Sequence, residues 1–206
     1  TIILGDLRYC GGLTLSSPDE RFGGFSALAM RGENNVLALS DHGYGFSARL
    51  VHNSQGDLID LSAPHLAVLR ETDGKPLRKK KDRVSESLAR APDGGVVVAF
   101  ERRHRLRHYD LNKKGLPKNP RAVEAPKGLD KARRNGGIEA LTRLGDGRLL
   151  ALAESLESGN DLAGWVQEAK GWAPLSWAAE DGFVATGMAT LPGGDVVVLE
   201  RRFTIL

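Results

Sequence analysis

The sequence holds a single cysteine, Cys10, so no intrachain disulfide framework and no cysteine-based metal site is open to it. Apolar runs are short: Val96 to Phe100 is the longest type present, far below the roughly 20 residues of a membrane helix. Net charge is low, with 29 Lys+Arg against 26 Asp+Glu, so the balance alone gives no reason to expect a nucleic-acid partner. The basic stretch Arg78-Lys-Lys-Lys-Asp-Arg83 reads as a solvated loop. Aromatics are only 6% of the chain and barely interleave with it, which argues against single-strand stacking. His-Glu-x-x-His, Gly-x-Ser-x-Gly and Walker-type phosphate loops are all absent, and Cys10 has no evident base. His104 and His108 lie on a predicted strand, about 13 Å apart at its rise per residue, so they do not form a ligand pair.

Glycine, by contrast, is abundant at 25 of 206 residues, which favours many turns and strands over long helices. These glycines mark an internal repeat. Phe25-Ser-Ala-Leu-Ala to Asp41, Ser85-Glu-Ser-Leu-Ala to Glu101, Ile138-Glu-Ala-Leu-Thr to Glu154 and Ala185-Thr-Gly-Met-Ala to Glu200 share one plan. A short apolar stretch leads to a Gly-containing turn, then to an apolar run ending in a carboxylate. From Ser26, Glu86, Glu139 and Thr186, the second residues of these segments, to the closing carboxylates is 15, 15, 15 and 14 residues.

Two apolar runs around such a turn predict a β-hairpin. Runs such as VVVAF do not alternate, which predicts strands buried on both faces. Looser strand-like segments follow: Ala48–His52 with Leu66–Glu71, Leu106–Asp110 with Arg121–Glu124, and Gly164–Glu168 with Trp172–Trp177. The fold expected is therefore an all-β, single-domain β-propeller of four-stranded blades spanning 1–206. A β-sandwich is the competing architecture, but it does not require the carboxylate to recur at one phase. About 3.5 blades are visible and five or six are expected in the whole, so the sequence reads as part of a longer chain. Gly128 to Arg134 is expected to make one short helical turn. Thr1 to Leu15 is expected to supply an outer or closing strand.

Pairing about the turn centres sets Glu86 opposite Glu101 and Glu139 opposite Glu154, with Ser26 by Asp41 and Thr186 by Glu200. In a propeller these hairpin ends converge on one mouth of the channel. Like charges facing each other destabilise a sheet. Three compensations are open: a hard cation such as Ca²⁺, pairing with Arg102, Arg103, Arg201 and Arg202, or raised pKa values. Glu86, Glu139 and Glu154 are the candidate metal ligands, and Glu101, Asp41 and His42 the candidate acid–base groups. Arg102, Arg201 and Asn135 are the candidate ligand contacts, since Arg forks match oxyanions.

Phe22-Gly-Gly-Phe-Ser-Ala-Leu, Leu39-Ser-Asp-His-Gly43, Ser85-Glu-Ser-Leu-Ala, Phe100-Glu-Arg, Asn135-Gly-Gly-Ile-Glu-Ala-Leu and Leu199-Glu-Arg, taken in this order, resemble the phytase-like β-propeller domain known as "esterase-like activity of phytase". The resemblance runs from about Gly11 to Arg202. It implies a bacterial exported protein, periplasmic or secreted, and calcium-dependent hydrolysis of phosphate esters. It implies an anionic small-molecule substrate, with neither nucleic acid nor a membrane span. Two positions depart from the family pattern: His42 stands where Arg is usual, and Val84-Ser85 precede Glu86 where an acidic residue is usual. A non-catalytic propeller that binds an anionic molecule or a protein, and a lactonase-like propeller, are the alternatives. Oligomeric state is left open.

Overall fold

The computed structural model describes residues 3–5, 7–9, 11–158, 161–180 and 182–203. Cys10 lies outside them. Three four-stranded antiparallel sheets follow one another along the chain. The first holds β3 (Phe25–Arg31), β4 (Asn35–Ser40), β5 (Tyr44–His52) and β6 (Leu58–Val68). The second holds β7 (Ser85–Arg90), β8 (Val96–Phe100), β9 (Arg105–Leu111) and β10 (Pro117–Val123). The third holds β11 (Ile138–Arg143), β12 (Leu149–Ser158), β13 (Asp161–Glu168) and β14 (Gly171–Trp177). A two-stranded sheet of β15 (Phe183–Thr190) and β16 (Val196–Arg202) comes last. Strands β3, β7, β11 and β15 stand side by side in that order, as the inner strands of propeller blades do.

The expected outer strands are present, with β6 beginning earlier than predicted. Two expectations are corrected. The segment before Leu15 supplies no blade strand: β1 (Ile3–Leu4) and β2 (Leu7–Arg8) pair only with each other among the described residues. The basic stretch is not wholly a loop, because Lys80–Arg83 form a one-turn helix, α1. A single 3₁₀ turn, Leu129–Lys131, sits where a short helix was expected.

The VVVAF run is β8, and each of its five residues is buried. Sheets on both sides cover it, so neither face alternates with polar residues. Burial of each such aliphatic side chain is worth roughly 1.5–3 kcal/mol. Val96 and Val98 look toward the first blade, while Val97 and Ala99 look toward the third. Hydroxyls stitch neighbouring blades. Ser85 Oγ donates to the Ser40 carbonyl (3.1 Å), Ser87 Oγ to that of Ile138 (2.8 Å), and Thr142 meets Thr190 (3.1 Å).

The turns set the register. In the second blade Gly94 has φ +85° and its N–H donates to the Ala91 carbonyl at 3.1 Å. Asp93 Oδ1 accepts from Gly95 N–H at 3.0 Å. The turn is therefore centred on Asp93, and Leu88 pairs with Val98 and Ser87 with Ala99. Glu86 is left out of the ladder as a bulge, and Ser85 pairs with Phe100. The other hairpins repeat this, leaving Ser26, Glu139 and Thr186 in the bulge position.

Candidate functional site

The expected pairing is thus off by one residue on the turn side of the bulge and by two beyond it. Glu101 N–H donates to the carbonyl of Val84, not across from Glu86, and Glu154 N–H donates to that of Gly137 (both 2.9 Å). The carboxylates nonetheless meet, because a bulge frees its side chain from the alternating up-and-down order of the ladder. One oxygen each from Glu86, Glu101 and Glu139 all lie within 4.8 Å of one another.

The last hairpin differs. Ala185 pairs with Glu200, so Arg201 stands at the phase held by Asp41, Glu101 and Glu154 in the earlier blades. The Glu200 carboxylate instead accepts from Trp177 Nε1 at 2.7 Å, against the third blade. Glu200 is therefore not a fourth closing carboxylate. The spacing of 14 rather than 15 residues carried that signal.

The environment of the triad is acidic and enclosed. Glu101 is buried at 4% exposure, and Glu86 and Glu139 are half-buried. Burial, reinforced by Glu86, Glu154 and Glu101, pushes the Glu139 carboxyl up to about 9. Burial, with Glu101, Asp41 and Glu154 nearby, pushes Glu86 up to about 7. Burial raises Glu101 as well, partly offset by the Gly137 N–H that Oε1 accepts at 3.0 Å. Among the described residues none of the three makes a salt bridge. Glu154 does, with Arg201 Nη2 at 3.3 Å.

A cavity of about 310 Å³ opens beside the triad. Glu86, Glu101 and Asp41 line it, facing His42, Asn135 and Arg102. Six sequence-predicted site residues therefore share one cavity, while Glu139, Glu154 and Arg201 stand just beyond its lining. His42 Nε2 is 3.4 Å from Asp41 Oδ1. Arg102 has φ +62°, unusual for a residue with a Cβ, and its backbone N–H donates to the Arg134 carbonyl at 3.1 Å. Its buried Nε has no partner among the described residues.

Sequence reasoning missed Lys80 and Arg83, which also line the cavity. The buried Nε of Arg83 likewise has no partner. Arg83 precedes Glu86 by three residues, and that nearness was the signal, obscured by the basic run around it. His104 does not line the cavity but adjoins the triad, where it acts to lower the Glu101 carboxyl, and its Nε2 is 3.0 Å from the Arg133 carbonyl. A second cluster, Asp93, His108 and Asp110, lies at the opposite end of the second blade. Arg121 compensates it, at 2.6 Å from Asp93 and 2.9 Å from Asp110.

Carboxylate oxygens are the donors that hard cations take, and three carboxylates offer up to six of them. Among the described residues no cation forms a salt bridge with the triad, so its charge is relieved by retained protons, as the raised Glu86 and Glu139 show, or by a bound cation in their place. The residues therefore fit a calcium-class ion, with the unpartnered Arg83 and Arg102 left free for an oxyanion.

Comparisons place this geometry among known proteins. A family model described as "Phytase-like: Esterase-like activity of phytase" matches residues 20–206. No curated protein matches the chain. Among solved structures, the extracellular domain of BT4673 from B. thetaiotaomicron is similar with TM-score 0.50 and 14% identity, over 90% of this chain and 21% of that one. The Dos1 propeller aligns at TM-score 0.45 and 11% identity, over 84% of this chain and 42% of its own. A catalytically inactive virginiamycin B lyase from Staphylococcus aureus, solved with quinupristin, aligns at 0.46 and 11%, over 88% and 64%. The chain thus spans between about a fifth and just under two thirds of these structures, and the likeness is one of fold. The match over residues 20–206, borne on blades of propeller type whose first three inner hairpins carry the expected carboxylates, means that the chain belongs to the phytase-like family described as esterase-like activity of phytase.

Proposed function

We propose that this protein is a calcium-dependent hydrolase of phosphate esters that works at the acidic mouth of its propeller. One observation carries the reading: Glu86, Glu101 and Glu139 converge within 4.8 Å with no salt-bridging cation among the described residues. A site of three half-buried or buried carboxylates needs either protons or a metal to be stable. Glu86, Glu101 and Glu139 hold the ion in this reading, and Glu154 stands behind them, tied to Arg201. A bound calcium supplies positive charge that neutralises a phosphoryl group and polarises its oxygens. The chain's own residues do the rest. Arg83 and Arg102 offer unpartnered guanidinium N–H groups to the phosphate oxygens. Asn135 and His42, also on the cavity wall, orient the ester. Asp41, half-exposed and 3.4 Å from His42, is placed to accept the proton of the attacking water. An exported location, periplasmic or secreted, belongs to the same reading.

The test is calorimetric titration of the protein with calcium, followed by p-nitrophenyl phosphate hydrolysis with and without chelator. Micromolar binding and chelator-sensitive turnover that Asp41→Asn lowers at least about a hundredfold are expected. A folded protein that binds no calcium overturns the metal-dependent reading.

A further inference from the structure

Arg83 and Arg102, the two guanidinium groups offered to an oxyanion above, sit on separate and irregular pieces of chain. Arg83 ends α1 (Lys80–Arg83), in the connection between the first two blades, and Arg102 stands in the turn between β8 and β9. A single helical turn with no side-chain cap does not hold its shape alone. Arg102 in turn is held in the left-handed region, at φ +62°. Both pieces need support from elsewhere if the two groups are to keep a fixed spacing.

Arg105, at the start of β9, supplies that support. It is buried, at 7% exposure, with its guanidinium carbon 4.2 Å from the centre of the Phe100 ring. Nη1 donates to the Arg103 carbonyl at 3.0 Å, and Nη2 donates to the Asp82 carbonyl. One planar fork thus grips the residue after Arg102 and the residue before Arg83. Nε donates to Glu71 Oε2 at 3.1 Å, and Glu71 Oε1 accepts from Arg107 Nε at 2.6 Å. Glu71 is a firm anchor, because its loop closes through the Arg70–Pro76 bridge between the buried Leu69 and Leu77. Arg103 Nη1 also approaches Asp82 Oδ1 at 3.5 Å, but a pair this open to solvent at Arg103 adds little.

We infer that Arg105 is a positioning residue for anion binding, set behind the cavity wall and holding Arg83 and Arg102 at the spacing an oxyanion requires. The inference rests on the oxyanion role proposed above for those two arginines. Arg105 itself does not line the cavity. Lysine cannot replace it. An ammonium carries the same charge but lacks the flat fork that meets two carbonyls and a carboxylate in fixed directions. Displacing charge-assisted contacts by about 1 Å costs on the order of tenfold in affinity.

Sulfate, a tetrahedral dianion that cannot turn over, is the probe. Calorimetry on the full chain in excess calcium measures its affinity, and p-nitrophenyl phosphate kinetics separate KM from kcat. Arg105→Lys should weaken sulfate about tenfold and raise KM by a similar factor, so that KM carries most of the loss in kcat/KM. Calcium affinity, set by Glu86, Glu101 and Glu139, should stay within about twofold. Glu71→Gln makes the region more positive, so charge alone would tighten sulfate; loss of the anchor should instead weaken it about threefold. Tyr109→Phe removes a buried hydrogen bond of the same cluster, from its hydroxyl to the Arg70 carbonyl at 2.8 Å, and should lower Tm while leaving sulfate affinity unchanged. A folded Arg105→Lys protein with unaltered sulfate affinity overturns the inference. So does a Glu71→Gln protein that binds sulfate more tightly, which decides the matter if Arg105→Lys does not fold. A Tyr109→Phe protein that loses sulfate as Arg105→Lys does overturns it too, since lost stability alone would then suffice. An unaltered chain that binds sulfate but neither calcium nor the ester defeats the hydrolase reading and leaves the inference standing, whereas one that binds no sulfate overturns the inference.

Discussion

Arg201 stands in the last hairpin where Glu154 stands in the hairpin before it, and the two side chains meet at 3.3 Å. One position in a repeat has changed sign. The last hairpin therefore supplies the mouth with a cation where the earlier blades supply Asp41, Glu101 and Glu154. That cation lowers the Glu139 carboxyl, against the burial and neighbouring carboxylates that raise it.

Glu200 and Arg201 consequently have separate tasks, and substitutions should separate them. Glu200→Ala leaves Trp177 Nε1 without its acceptor and should cost about 1 kcal/mol in denaturant unfolding. Calcium affinity should not change. A Glu200→Ala protein that loses calcium as Glu139→Gln does would mean that Glu200 faces the mouth, contrary to the Ala185–Glu200 pairing.

Stability should fall with rising pH in calcium-free buffer. The folded protein holds Glu139 at about 9 and Glu86 at about 7, against an ordinary 4.5. Folded molecules therefore keep protons that unfolded ones release. The favourable contribution is complete below about pH 4.5 and is lost through about 7 for Glu86 and about 9 for Glu139. The slope is up to ~1.4 kcal/mol per pH unit for each extra proton retained. Urea unfolding at pH 5, 7 and 9 in chelator measures it, and saturating calcium should flatten it. A flat profile in chelator would show that the carboxylates do not crowd one another.

Much of this arrangement is legible in the sequence, and the part that is not has a definite cause. The Gly-containing turns and continuous apolar runs place every inner hairpin; both faces are buried in β4 and β8, as such runs predict, whereas in β16 one face is exposed at Val197 and Leu199. Register is harder. Centring the turn between Asp93 and Gly94 sets Glu86 opposite Glu101, while Gly94 in the left-handed region centres it on Asp93. A bulge at Glu86 then shifts the pairing by one residue more while freeing that side chain, and no residue type announces a bulge at Ser26, Glu86, Glu139 and Thr186. Lys80 and Arg83 were hidden by composition: among six residues of which five are basic, nothing in the local pattern distinguishes the two that line the cavity.

Gly137 is a hinge point for the triad and should not tolerate a side chain. Its N–H serves Glu101, and a Cβ there would come within 2.6 Å of His104 Nδ1. Gly137→Ala should therefore move this backbone, weaken calcium binding several-fold and cost about 1–3 kcal/mol. Adding His104→Ala removes the obstructing ring and should recover most of the calcium affinity. If the double variant is as impaired as the single one, the position matters through backbone freedom and not through the approach to His104.

Glu139→Gln should separate function from stability. The carboxyl of Glu139 is the one raised furthest in the acidic group, pushed up to about 9 by burial and then by Glu86, Glu154 and Glu101. Without calcium at pH 8 the wild-type protein must either hold a proton there or bear a buried charge, and both carry a free-energy cost. A neutral amide of the same shape carries neither. Glu139→Gln should thus unfold at higher urea concentration than wild type in chelator at pH 8, with little difference at pH 5. The same change removes a charged oxygen pair from the proposed ion site and should weaken calcium by more than about tenfold. The calcium-induced rise in Tm should then largely vanish. A variant less stable than wild type at pH 8 in chelator would place Glu139 in a stabilising contact, and the argument from crowded carboxylates would fail with it.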